Sequence, residues 1–245
     1  MSAMVREGVF TYLDILLRYS MNEFDRCFER MPFPAMNSID INMLIAALFY
    51  SFKKFPVRSE QIFFDVGANA GSFVKALLYM ESITNIQTRN IHCFEPHPVM
   101  SKYTKAVYPY ITMNEYCLGS SEGRLDLHVP VISCELASNT NLPSFAQLDH
   151  PVSVLNVECK TLDQYCAQNN IEMIDFVKID VEGSEKSVFD GASRMLKERR
   201  IRCGLFDVGI VVDASEEDMI QLLEGYGYKV DRAFDKKNYI FYLAR

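Results

Sequence analysis

The chain of 245 residues is 49% hydrophobic and 23% charged, a globular balance that excludes intrinsic disorder and, at ~150 residues per domain, fits one large domain or one domain with an extension. With 25 Lys and Arg against 32 Asp and Glu the formal net charge is −7, so nucleic acid meets net repulsion unless basic residues cluster. Seven cysteines without a C-x-x-C pair exclude a zinc knuckle and a complete disulfide framework, which leaves reduced thiols as the simple reading.

In chain order, Phe10, Leu13, Leu16, Leu17, Phe24 and Phe28 recur at helical spacing and predict an amphipathic helix within residues 8–30. Pro32 and Pro34 end it, Ser38 or Asp40 can cap a second helix over Ile41–Phe52, and Pro56 follows. Residues 1–58 carry nothing that looks catalytic. They read as a helical extension capping the domain at 59–245, with a lid over substrate as the other reading, and they are the candidate surface for a homo-oligomer. No run reaches the ~18–20 apolar residues of a membrane helix, and the start lacks a basic stretch leading into an apolar core and cleavage site. A soluble, cytoplasmic protein without a membrane span is expected.

From Gln61 the texture changes to short apolar runs ending in Gly, Asp or Glu that alternate with helix-length segments, the pattern of an α/β fold with a parallel sheet covered on both faces. Strands are expected near Gln61–Val66, Asn90–Glu95, Tyr110–Cys117, Ile174–Asp180, Arg202–Val208, Tyr228–Ala233 and Asn238–Leu243, the last two antiparallel across a turn at Asp235–Lys237. Helices are expected near Gly71–Glu81, Pro98–Val107, Gly183–Glu198 and Glu216–Gly225. Between Gly119 and Leu162 the pattern weakens to two extended pieces, Arg124–Val129 and Val152–Cys159. The polar stretch between them holds Ser138, Asn139, Asn141, Pro143 and Ser144 and is a candidate substrate loop.

Three segments carry chemistry. In Ile62-Phe63-Phe64-Asp65-Val66-Gly67-Ala68-Asn69-Ala70-Gly71 an apolar strand ends in an acid and runs through a glycine turn into a helix. Gly67 lets the turn close under a ligand, Asn69 tolerates a left-handed conformation, and Gly71 lets the helix start pack against the strand. A dinucleotide would lay its pyrophosphate against Asp65, and the G-x-N-x-G spacing departs from G-x-G-x-x-G. S-adenosylmethionine has no phosphate; an acid attracts its ammonium and sulfonium while the turn amides take its carboxylate. A capping Asp in an ordinary turn is the bland alternative.

The second segment, Ile91-His92-Cys93-Phe94-Glu95-Pro96, ends a strand with an acid placed to accept hydrogen bonds from two ribose hydroxyls. His97 beside it reads as a solvated loop residue before it reads as a base. The third, Phe176-Val177-Lys178-Ile179-Asp180-Val181-Glu182-Gly183-Ser184-Glu185, delivers three carboxylates to a strand tip and helix start, the edge at which open parallel sheets bind ligands. Glu182 and Glu185 would also stabilise a helix N-terminus, and Asp180 is the stronger functional candidate.

These segments resemble the FkbM-type S-adenosylmethionine-dependent O-methyltransferases. The resemblance runs from Gln61 to Tyr242 and rests on FFDVGANAGSF, CFEP, CLGSSEG, TLDQY and above all IDFVKIDVEGSEKSVFDGA. It implies a Rossmann-like class I methyltransferase fold, a mostly parallel seven-stranded sheet with helices on both faces. It further implies that Asp65, Gly67, Ala68, Asn69 and Gly71 hold the methionine end of the cofactor, Glu95 and Pro96 the ribose, and Cys117 and Leu118 the adenine. Asp180 then lies beside the transferred methyl, and the acceptor is a hydroxyl on a sugar, glycan or small metabolite. Asp207 stands where the family more often has Glu, and Glu115 where it often has Asn.

Methyl transfer to an alcohol is an in-line displacement that needs positioning and a base for the hydroxyl proton. The candidates are Asp180, Glu182 and Asp207, with Glu185 behind them; a divalent metal on the same carboxylates is a lesser alternative. Methylation of an RNA ribose hydroxyl would require a basic groove that no cluster beyond Lys197–Arg202 supplies. An inactive cofactor-binding subunit working through its N-terminal helices is the reading from a different class.

Overall fold

A computed structural model describes residues 39–55, 60–84, 90–130, 152–208, 214–233 and 238–244. The helix expected within 8–30, the polar stretch at 138–144 and the turn Asp235–Lys237 lie outside the described residues. The elements are α1 (Ile39–Lys54), β1 (Phe63–Val66), α2 (Ser72–Thr84), β2 (Ile91–Phe94), α3 (Pro98–Val107), β3 (Thr112–Asn114), β4 (Cys117–Leu118), β5 (Gly123–Pro130) and β6 (Val152–Lys160). There follow α4 (Leu162–Gln168), β7 (Phe176–Ile179), α5 (Glu185–Asp190), α6 (Ser193–Lys197), β8 (Cys203–Asp207), α7 (Glu216–Gly225), β9 (Tyr228–Ala233) and β10 (Asn238–Leu243). No described helix is long and apolar enough to cross a membrane.

Seven strands form one sheet in the order β3-β2-β1-β7-β8-β10-β9. β1, β2, β3, β7 and β8 pair in parallel, and β10 runs antiparallel to both β8 and β9. The chain moves outward from β1 to β3 on one side and returns to β7 on the other. That reversal opens a crevice at the carboxyl ends of β1 and β7, where doubly wound sheets receive ligands.

Because side chains alternate across a strand, each buried strand feeds two cores. Phe64, Val66, Phe94, Val177, Ile179, Phe206 and Phe241 pack with α4, α5, α6 and α7 on one face. Phe63, Ile91, Cys93, Phe176, Cys203, Leu205 and Ile240 pack with α1 and α2 on the other. Leu44, Ile45, Ala47 and Leu48 of α1 are buried there, so the second predicted helix closes a face of the sheet.

Three local expectations change. The third predicted strand divides: Thr112–Asn114 extends the main sheet, whereas Cys117–Leu118 joins a second, three-stranded sheet of order β4-β6-β5. The long helix predicted over Gly183–Glu198 breaks at Gly191. A Cβ there would lie 2.0 Å from the carbonyl oxygen of Gly119, and Asp163 caps the new helix start by accepting from Arg194 N at 2.7 Å and Met195 N at 2.9 Å. Both partners come from distant sequence, so the continuous stripe of Val188, Ala192, Met195 and Leu196 could not reveal the break. The short helix α4 was not predicted; Thr161 caps it by accepting from Gln164 N at 3.1 Å, and Leu162, Tyr165 and Cys166 are buried beneath it.

Phe206 is fully buried and meets Phe189 edge-on at 5.3 Å and Tyr239 in a stack at 5.4 Å. Truncation to Ala removes these contacts and leaves a cavity, and Phe206→Ala should lower unfolding stability by about 3–5 kcal/mol, read as a shift in the urea midpoint at unchanged slope.

Candidate functional site

The parallel register sets the site. Val66 stands opposite Phe94 and Ile179, and Ile179 opposite Phe206. One residue further, Glu95, Gly67, Asp180 and Asp207 succeed one another along the carboxyl edge at the strand spacing of ~4.8 Å. The acids of this row, together with Asp65 two residues below, share the parity of Phe63, Cys93 and Leu205, and so belong to the α1 and α2 face. The Rossmann-type edge therefore brings the predicted acids of three separate motifs together.

Gly67 and Gly71 adopt φ of 77° and 81°, and Asn69 takes 44°, the left-handed conformation its side chain tolerates. A Cβ on Gly67 would lie 1.9 Å from the carbonyl oxygen of Asp180, so only glycine lets the β1 turn approach the β7 tip. A Cβ on Gly71 would lie 2.7 Å from the Tyr108 ring and 3.0 Å from the Thr104 methyl at the α3 end. Thr104 Oγ1 donates to Asn69 O at 2.5 Å.

Four amides of the turn donate within the protein. Gly67 N and Ala68 N donate to Phe94 O at 3.0 and 3.1 Å, Asn69 N donates to Glu95 Oε2 at 2.7 Å, and Gly71 N donates to Ala68 O at 2.8 Å.

Asp65 has no solvent exposure, and its Oδ2 has no hydrogen-bond partner. Its Oδ1 faces Lys178 Nζ at 3.4 Å, a charge pairing too long to be a hydrogen bond of full strength. Burial pushes the carboxyl up to about 6, against the pull of Lys178. Lys178 Nζ also donates to Gly67 O at 2.9 Å and lies 3.3 Å from Asp180 Oδ2. Burial disfavours its charge, but Asp180 and Asp65 outweigh that and hold it above the ordinary lysine range. Sequence reading missed Lys178 as a site residue; the available signal was a cation inside an apolar strand.

Glu95 is buried, its Oε1 accepts from His97 N at 2.8 Å, and burial raises its carboxyl despite that bond and the one from Asn69. Each oxygen keeps a second lone pair. Pro96 follows, half-buried, and His97 caps α3, its Nδ1 accepting from Val99 N at 3.3 Å and Met100 N at 3.4 Å.

The three acids of the β7 segment separate by role. Asp180, its side chain 39% exposed, stands at the crevice. Glu182 is half-buried with φ of 53°, a backbone strain of the kind that collects at functional turns. Glu185 is buried, and its Oε1 accepts from Val181 N at 3.1 Å and Gly183 N at 3.2 Å, so it clasps the turn below Asp180. Asp207 sits half-buried at the end of β8. Cys117 lies on the smaller sheet, in register with Cys159 and donating to Glu158 O at 3.3 Å, whereas Leu118 belongs to the core that holds Phe94. Among the described residues no group of three or more His, Cys, Asp or Glu is placed to hold a metal ion.

A buried carboxylate with a hydrogen-bond partner on neither oxygen and one ion-pair contact, to Lys178, fits a cationic, phosphate-free ligand. The model of the methyltransferase FkbM domain matches residues 65–230, more than half of the chain. A 2-O-methyltransferase, NoeI, of Sinorhizobium fredii is 25% identical over 158 residues, covering 58% of this chain and 62% of its own. The crystal structure of methyltransferase FkbM from Methylobacillus flagellatus superposes with a TM-score of 0.50 at 16% identity, over 79% of this chain and 47% of that one. The chain thus spans less than two thirds of the length of either protein, and the second likeness is one of fold.

Burial pushes the Glu185 carboxyl up to about 7 from 4.5, so between those values the folded chain holds a proton that the unfolded chain releases. Stability from this group is full at low pH and is lost as pH rises through about 7. Burial pulls His92 down to about 4, which acts in the opposite direction, so the test compares a variant with its parent. Glu185→Gln should gain on the order of 2 kcal/mol relative to the parent between pH 5 and pH 8. A difference that does not change with pH in urea titrations would refute the burial argument.

Proposed function

The chain belongs to the methyltransferase FkbM domain family, and from that premise we propose that it transfers the methyl group of S-adenosylmethionine to a hydroxyl of a sugar, glycan or small metabolite. The observation that carries this reading is the acidic edge formed by Asp65, Glu95 and Asp180 around a glycine turn. The similarity to the 2-O-methyltransferase NoeI supports oxygen as the acceptor atom. When bound, S-adenosylmethionine supplies a methyl group made electrophilic by its sulfonium.

Asp65, Gly67, Ala68 and Asn69 hold the cationic methionine end in this reading, and the free lone pairs of Glu95 accept from the ribose hydroxyls. Cys117, on the neighbouring sheet, is the candidate for the adenine edge. An alcohol needs a base as its oxygen attacks. Asp180 is the first candidate because its carboxylate is partly exposed at the crevice. Glu182 and Asp207 flank it, while Glu185 is engaged by two amides. Residues 59–245 form the transferase unit and 1–58 its helical extension.

Incubation with S-adenosylmethionine and a panel of free sugars, glycans and hydroxylated metabolites, with S-adenosylhomocysteine release as readout, tests the activity. Asp180→Asn should lower kcat about 10²-fold or more with little change in cofactor Kd. Asp65→Asn should weaken cofactor binding by about tenfold or more. Turnover by Asp180→Asn at the parent rate would overturn the assignment of the base.

A further inference from the structure

Lys178 is the one charged side chain within the paired residues of β7, and nothing in the chemistry assigned above uses it. Its position follows from strand alternation. Phe176 and Lys178 share the α1 and α2 face, and the lysine stem runs from that core toward the carboxyl edge, where the ammonium meets Gly67 O, Asp65 Oδ1 and Asp180 Oδ2 at 2.9, 3.4 and 3.3 Å. An ammonium has three N–H donors, and here three acceptors from two strands surround it.

We propose that Lys178 is a positioning residue that keeps Asp65 charged for the cofactor's cationic end and restrains one oxygen of Asp180, leaving the other for the acceptor hydroxyl. This rests on the roles given to Asp65 and Asp180 under Proposed function. Lys178 cannot itself be the base, because its two carboxylate neighbours hold it protonated. As a bare ion pair it would be weak evidence of anything, since burying two charges costs about what their attraction returns. Its geometry is more particular. It ties the turn carbonyl of Gly67 to both carboxylates, and so fixes the separation between the part of the site that binds and the part that reacts.

The charge arithmetic supports the same conclusion. Asp65 and Asp180 against Lys178 leave one net negative charge, and Glu95 adds another beside the turn. Facing Asp65 are Lys178 and Asp180 from the β7 segment, and Glu95 and Cys93 from β2, of which Cys93 is held as a neutral thiol by burial. Only Lys178 in that set is positive. Without it, Asp65 would sit unexposed beside two acids and take up a proton near neutrality, since burial already pushes it to about 6 with the lysine present.

Calorimetric titration of S-adenosylmethionine from pH 6.5 to 9 tests this with the parent chain, Lys178→Met, Lys178→Gln and Lys178→Arg. The Gln variant retains a donor for Gly67 O without the charge, so it reports even where Met prevents folding. The parent should bind with little pH dependence above pH 7. Lys178→Gln and Lys178→Met should bind at least tenfold more weakly at pH 7 and recover several-fold by pH 9, as Asp65 ionises. Adding Asp65→Asn should abolish that recovery, and Lys178→Arg should restore most of the affinity at pH 7. Folded Lys178→Gln binding within threefold of the parent across the range would overturn the inference while leaving the cofactor reading intact. Failure of the parent to bind at any pH would overturn both.

Discussion

A carboxylate removed from water survives in a protein interior only if a cation or a set of donors meets it. At the carboxyl edge of this sheet, Asp65 lacks both water and a hydrogen-bond partner on Oδ2, and its one cationic neighbour is shared with Asp180 and the Gly67 carbonyl. That arrangement leaves the edge short of positive charge. The proposed role of the crevice, to receive the cationic end of a cofactor, follows from that deficit.

The rest of the structure keeps this imbalance in place. The amides of Gly67, Ala68 and Asn69 donate inward, to Phe94 O and Glu95, which fixes β1 against β2. Gly67 allows the Asp180 carbonyl to approach where any Cβ would collide. Glu185 gathers the amides of Val181 and Gly183 beneath the β7 tip, so one acid of the segment that carries the proposed base serves to shape its loop. Burial holds Glu185 partly protonated near neutral pH and keeps its charge from adding fully to the acidic edge.

The two cores show how the same alternation serves packing and site together. On β1, β2 and β8 the residue two positions after a buried apolar side chain of the α1 and α2 face is acidic or leads to an acid at the edge: Phe63 to Asp65, Cys93 to Glu95, Leu205 to Asp207. On β7 Phe176 leads through Lys178 to Asp180. A parallel sheet therefore needs no long-range coordination to assemble these groups, because register alone aligns the strand tips. Membership of the methyltransferase FkbM domain family is consistent with that economy.

Strand positions, the glycine turn and the acids Asp65, Glu95 and Asp180 were legible in the sequence because each is a local pattern: an apolar run of strand length, a positive-φ residue type, a charged terminus. Adjacency of three motifs spread from Asp65 through Glu95 to Asp180 was not legible, nor was Lys178, whose meaning lies in what β1 places opposite it. The same holds for the break at Gly191, which depends on a carbonyl of Gly119 and a cap from Asp163. It holds for the amides of Gly67, Ala68 and Asn69, whose acceptors lie on Phe94 and Glu95. Periodicity and residue chemistry act over a few residues, so the chain alone states which groups it owns. Hydrogen bonds and charges act over a few ångströms of space, so only the folded sheet decides which of those groups meet.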